Sequence, residues 1–159
     1  QQRVESRYGN IFDHFSVVYD FAGGERGFLF CRQMENCTGS NDDYIMGTKG
    51  CAKIQAFGNL EITGENPWRL TNRTGVGMYQ QEHNELFASI RKGEAKNDGD
   101  WMMRSTLMAI MGRESAYTGR RLSWEDIKSS AQKLMPENLS WDMELPEPPI
   151  PMPGRTEFI

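Results

Sequence analysis

Histidine is nearly absent from this chain of 159 residues: there are two, His14 and His83, far apart in sequence. Cysteine is scarce and odd in number, as Cys31, Cys37 and Cys51, with no paired C-x-x-C spacing. These shortages argue against a metal site and make free structural thiols the simplest reading. No apolar run approaches the roughly 20 residues that span a bilayer, so no membrane partner is expected. No basic run stands out either, and the formal net charge is -4 with a pI near 5.3. A nucleic-acid partner is therefore not expected. No initiator Met and no signal-like apolar stretch opens the chain, which leaves its compartment unreadable.

What is present suits one domain. Apolar residues make up 38% and charged residues 25% of the chain. At this length roughly two thirds of the unfolded surface can be buried, enough for a core without metals or disulfides. Residues 1–13, with "QQRVESRYGN", carry no strand or helix signal and read as a linker remnant of an upstream domain. Residues 14–138 read as the α+β domain, and 139–159 as a tail.

The first half is strand-like. "HFSVVYDF" alternates Phe15, Val17, Tyr19 and Phe21 against His14, Ser16, Val18 and Asp20. "AGGE" supplies the turn and "RGFLFCRQME" the return, which predicts an antiparallel hairpin over 14–35. "YIMGTKGCAKIQA" predicts two strands joined around Thr48-Lys49-Gly50, and "NLEITGENPWRL" one more before Pro67. Short turns with no crossover helix imply antiparallel pairing throughout.

The second half is helical. Met78 to Lys92, closed by Gly93, predicts a helix whose inward stripe is Tyr79, His83, Leu86, Phe87 and Ile90. "DGDWMMRSTLMAIMGRESAYTG" predicts a longer helix, capped near Asp98 or Asp100 and ended by Gly119. Its bulky side is Met103, Leu107, Ile110 and Tyr117. Its ridge of small residues is Ser105, Ala109, Gly112 and Ala116, and its methionines read as gap-filling core. "SWED" is a capping box with Asp for Glu. It starts a short helix with Trp124, Ile127, Ala131 and Leu134 on one face and Pro136 as its stop. Five of the seven prolines lie in the tail, which predicts an extended, largely polyproline II path around a surface or partner subunit.

Candidate binding residues are few. Gly75-x-Gly77 precedes a helix but lacks the third glycine and buried strand of a dinucleotide loop. "MGTKGC" lacks phosphate-loop order, and Lys49 reads as solvated in a turn. Arg32, Gln33, Asn41, Asp42 and Asp43 could hold the hydroxyls of a sugar-like ligand, and His83 could reach a pocket as a group titrating near neutral pH. Each also has a plain reading as a solvated strand end, a loop, or a core or interface histidine. Asp42 and Asp43 alone do not make paired-carboxylate catalysis. The patterning thus gives a mainly antiparallel sheet with helices on one face. The uncovered face is a natural surface for homo-oligomer formation.

Five segments in order carry a resemblance: "YGNIFDHFSVVYDF", "DYIMGTKGCAKI", "MYQQEHNELFASIRKGE", "NDGDWMMRSTLMAIMGRESAYTGRRLSWEDI" and "PMPGRTEFI". Together they resemble the C-terminal domain of the Gfo/Idh/MocA family of NAD(P)-dependent oxidoreductases, in its planctomycete and Bacteroidetes-type branch. The resemblance implies a sheet domain that closes a substrate pocket and builds oligomers beside an N-terminal Rossmann domain. That second domain would bind NAD or NADP. This chain has neither the Gly-rich loop nor the family's E-K-P lysine, and the Asp/His catalytic segment would lie upstream of Gln1. No catalytic or cofactor-binding residue is therefore carried over. The substrate implied is a small sugar or cyclitol. Two rival readings are a standalone, non-enzymatic sheet module and an NAD-dependent glycosidase of the same family.

Overall fold

The computed structural model describes residues 3–56, 58–71, 75–145 and 147–159. Gln1, Gln2, Asn72, Arg73, Thr74 and Pro146, which the sequence readings include, lie outside the described residues. The architecture is α+β with antiparallel sheets, as the patterning predicts. Among the described residues six strands form two sheets, one of two strands and one of four. By compactness the chain divides into two units, residues 1–36 with 97–159, and residues 37–96.

In the first unit, a single 3-10 turn at Ser6–Tyr8 precedes strand β1 (His14–Asp20). The chain reverses and returns as β2 (Arg26–Arg32). Cross-strand partners place Phe15 opposite Cys31, Val17 opposite Leu29 and Tyr19 opposite Gly27 on one face of this hairpin. That face receives helix α2 (Gly99–Thr118). Contact is close because Gly112 is buried against β1: a Cβ there would run into the Tyr19 hydroxyl and approach Val17. The Tyr19 hydroxyl donates to the Met108 carbonyl at 3.0 Å. Burial pushes the phenol of Tyr19 upward from its ordinary value.

The core of this unit is small. Val17, Tyr117, Leu122 and Ile127 are buried. Phe12 meets Tyr117 edge-on with centroids 4.8 Å apart, and Phe15 lies 6.0 Å from Tyr117, a favoured aromatic arrangement. Phe12 and buried Asp13 thus pack into this unit from the stretch read as a linker. Only the C-terminal half of α2 is core. Trp101, Met102, Met103 and Met108 are exposed, which corrects the reading of the methionines as gap-filling core. Met103 faces solvent nine residues before Gly112, where α2 meets β1.

Gly119 ends α2 with φ +71°, and its amide donates to the Ser115 carbonyl, as a left-handed C-cap requires. Ser123 then opens helix α3 (Trp124–Ser129) with a reciprocal capping box to Asp126. Helix α3 stops at Ser129, seven residues before Pro136, so Ala131 and Leu134 are not on it. Among the described residues, 130–159 holds no helix or strand. This segment returns to its own unit. The Gly154 amide donates to the Thr118 carbonyl at 2.8 Å, and the Ile159 carbonyl accepts from the Ser130 hydroxyl at 2.6 Å and the Ala131 amide at 3.2 Å.

The second unit is a meander: β3 (Asp42–Gly47), β4 (Gly50–Gln55), β5 (Leu60–Gly64) and β6 (Trp68–Arg69) pair in chain order. Strand β6 follows Pro67 and is two residues long, and the sequence pattern did not resolve it as separate from β5. Helix α1 (Met78–Lys92) follows, closed by Gly93 as predicted. It packs on none of these four strands.

Candidate functional site

Strand pairing sorts the side chains of the four-stranded sheet onto two faces, since residues opposite each other in an antiparallel pair share a face. Asp42 pairs with Gln55, Tyr44 with Lys53, and Lys53 with Glu61. These polar residues occupy one face. Ile45 pairs with Ala52, Ala52 with Ile62, Ile62 with Trp68, and Ile54 with Leu60. These apolar residues occupy the other.

The polar face is organised around Asp42. Its carboxylate accepts from the Gln55 amide at 3.2 and 3.3 Å and lies 3.4 Å from the Lys53 ammonium. The Tyr44 hydroxyl reaches the same carboxylate at 3.5 Å, and the Lys53 ammonium sits 5.6 Å from the Tyr44 ring. The hydrogen bond to Asp42 raises the Lys53 ammonium above the ordinary lysine range, with Tyr44 adding to it. Lysine, tyrosine, glutamine and a carboxylate on one half-open face match what a polyhydroxylated ligand needs in donors and acceptors. Sequence alone named only Asp42 of this group. Tyr44, Lys53 and Gln55 needed the register of β3 against β4, which local patterning does not supply.

Within the second unit, Asp42, Asp43 and His83 do not converge. Asp42 and Asp43 are neighbours on a strand, so their side chains leave opposite faces, and they form no carboxylate pair. Asp43 stands at the rim of the apolar face, opposite Ile54. His83 lies on α1, where its Nδ1 meets the Tyr79 carbonyl at 2.7 Å. The helical stripe that holds it is exposed, which corrects the expectation of an inward face: no strand of its unit covers Tyr79, Leu86, Phe87 or Ile90. Arg32 and Gln33 belong to the first unit. There the Gln33 amide donates to the Asp13 carbonyl at 2.7 Å, and its carbonyl accepts from the Arg3 Nε at 2.8 Å. Buried Asp13 also accepts from the Arg3 amide at 2.9 Å and meets the His14 ring at 2.7 Å. This network holds the end of β2 in place.

Each unit carries an open depression among the described residues. One, of about 460 Å³, is lined in the first unit by Thr118, Arg120 and residues 154–158. The other, of about 250 Å³, borders β5 and β6 at Glu61, Ile62, Pro67, Trp68 and Arg69. Among the described residues no group of three or more His, Cys, Asp or Glu is placed to hold a metal ion. No helix among them is long and apolar enough to cross a membrane. The three cysteines are free. Comparison of the chain with protein-family models, curated proteins and solved structures finds no match.

Proposed function

We propose that this chain is the substrate-side and oligomerisation domain of an NAD(P)-dependent oxidoreductase acting on a sugar- or cyclitol-like molecule. Its working partner in this reading is a Rossmann domain that binds NAD or NADP and supplies the hydride chemistry. The chain itself contributes walls, polar contacts and an assembly surface, and no catalytic group.

The observation that carries the reading is the two-sidedness of the four-stranded sheet. One face is apolar, the other carries Asp42, Tyr44, Lys53, Gln55 and Glu61 beside Met46 and Cys51, and among the described residues no helix of its own unit covers either. Apolar sheet surface of this extent marks a contact site, because water-exposed Ile, Leu and Trp side chains gain about 25 cal/mol per Å² when covered. The Asp42 cluster on the opposite face offers fixed donors and acceptors to hydroxyl groups. Five sequence segments in the order of the Gfo/Idh/MocA C-terminal domain supply the chemical class.

Calorimetric titration tests the division of labour. Residues 1–159 are expected to give no saturable heat with NAD or NADP. The product of the whole genomic reading frame is expected to bind one of them and to oxidise a polyol. Saturable cofactor binding by residues 1–159 overturns the reading. A reading frame without a nucleotide-binding unit overturns it in favour of a standalone assembly module.

A further inference from the structure

We propose that α1 of one copy lies across the apolar sheet face of a second copy, and that the exchange is reciprocal. This inference rests on the oligomerisation half of the reading above and specifies which surfaces meet. Two unpartnered apolar surfaces belong to the same unit. On α1, Tyr79 is 70% exposed, Phe87 50% and Ile90 62%, with Leu86 beside them. On the sheet, Ile45 is 62% exposed and Trp68 51%, with Ile54 and Ile62 beside them. The helix stands off its own strands, so each surface is left for an outside molecule.

The dimensions fit. Fifteen residues make a helix about 22 Å long. Strands of five and six residues run about 17–20 Å, and three of them with the two-residue β6 set the outer strands about 14 Å apart. A helix about 10 Å across therefore covers most of this face in one lie. Charge fits as well. Among the described residues Asp43 is the one charged side chain on the apolar face, and it stands at its rim. The last turn of α1 carries Arg91 and Lys92. Laying the C-terminal end of α1 over the Asp43 rim pairs them.

The area decides between one contact and two. Three half-exposed aromatic rings and five aliphatic side chains give roughly 750 Å² for one helix-on-sheet contact. That falls below the 1,200–2,000 Å² of a stable specific interface. Reciprocal exchange doubles it to about 1,500 Å², inside that range, and it closes under two-fold symmetry.

The test uses residues 1–159 and two charge insertions of the same sign, Phe87→Asp on the helix and Ile62→Asp on the sheet. Both sites are exposed, and circular dichroism confirms that each variant keeps its fold. Light scattering is expected to find the parent chain dimeric and each variant monomeric. An equimolar mixture of the two variants retains one intact contact. It is expected to dimerise at concentrations at least tenfold above those the parent needs. A Phe87→Asp chain that dimerises like the parent overturns the inference and leaves oligomerisation standing, because the sheets then meet face to face. A mixture that dimerises as tightly as the parent overturns the reciprocal exchange, because one contact then suffices. A parent chain monomeric at every concentration overturns both the inference and the oligomerisation reading.

Discussion

At the residue scale, Gly112 decides how close α2 comes to the hairpin. A methyl group there occupies the space of the Tyr19 hydroxyl. The helix gains about 1 kcal/mol of propensity from alanine, and overpacking costs about 1–3 kcal/mol, so strain wins or balances. Gly112→Ala is expected to lower the melting temperature by several degrees. The loss is expected to shrink in a Tyr19→Phe background, and thermal melts of the four chains check the coupling. A loss of the same size in both backgrounds rules out the tyrosine as its cause. Arg113 makes a second residue-scale case. It donates to the buried carboxylate of Glu114 at 2.8 and 2.9 Å, with Gln132 at 3.4 Å. Truncating it leaves that carboxylate one weak partner. Arg113→Ala is expected to cost about 2 kcal/mol in urea unfolding. The spacing of small residues places Gly112 in a ridge with Ser105, Ala109 and Ala116, but only the fold shows what presses on it.

At the element scale, α3 depends on its start. Its six residues fall well short of the length at which a helix stands alone. Ser123 and Asp126 exchange hydrogen bonds at 2.7 and 3.1 Å. Ser123→Ala is expected to cost about 1 kcal/mol, or roughly 2–4 °C in melting temperature. The bonds from the Ser123 amide and hydroxyl hold the Asp126 carboxyl below the ordinary aspartate value. A carboxyl held low when folded contributes stability above its unfolded value near 3.8, and that contribution fades as pH falls through the folded value. The stability difference between parent and Asp126→Asn is thus expected to be full at pH 6 and to narrow below pH 4. A difference unchanged from pH 6 to pH 3 shows that the carboxylate charge plays no part. This element was legible from "SWED" because a capping box is made within four residues. The helix end was not, since Ser130 and Ala131 leave helical geometry to bind the Ile159 carbonyl, 28 residues or more away.

At the scale of the whole molecule, the C-terminal segment is a tether. Residues 152–159 bring Gly154 to the end of α2 and Ile159 to the end of α3. A Cβ at Gly119 would lie 3.1 Å from both Gly154 and Pro153, so the segment sits tightly on the helix cap. Removing 152–159 is expected to speed hydrogen exchange in α3 and the last turn of α2, and to leave β3–β5 unchanged. Equal acceleration in the four-stranded sheet contradicts the division into two units. Proline count predicts an extended tail around a surface or a partner subunit. The structure returns its end to the chain's own helices, a long-range choice with no local signature.

The sequence by itself determined the elements: the antiparallel hairpin, the strand pair around Thr48 and Lys49, helices ending at Gly93 and Gly119, and the Ser123 cap. Each is decided by side-chain alternation, a turn or a cap within a few residues, where local sterics and hydrogen bonding dominate. Tertiary structure alone decided which apolar stripes are covered. The stripe of α1 and the Ile45–Trp68 face have the same periodicity as buried surfaces, but burial depends on what another segment brings to them. It also decided that Asp42 gathers Tyr44, Lys53 and Gln55 while Asp43 points away, because strand register assigns the faces.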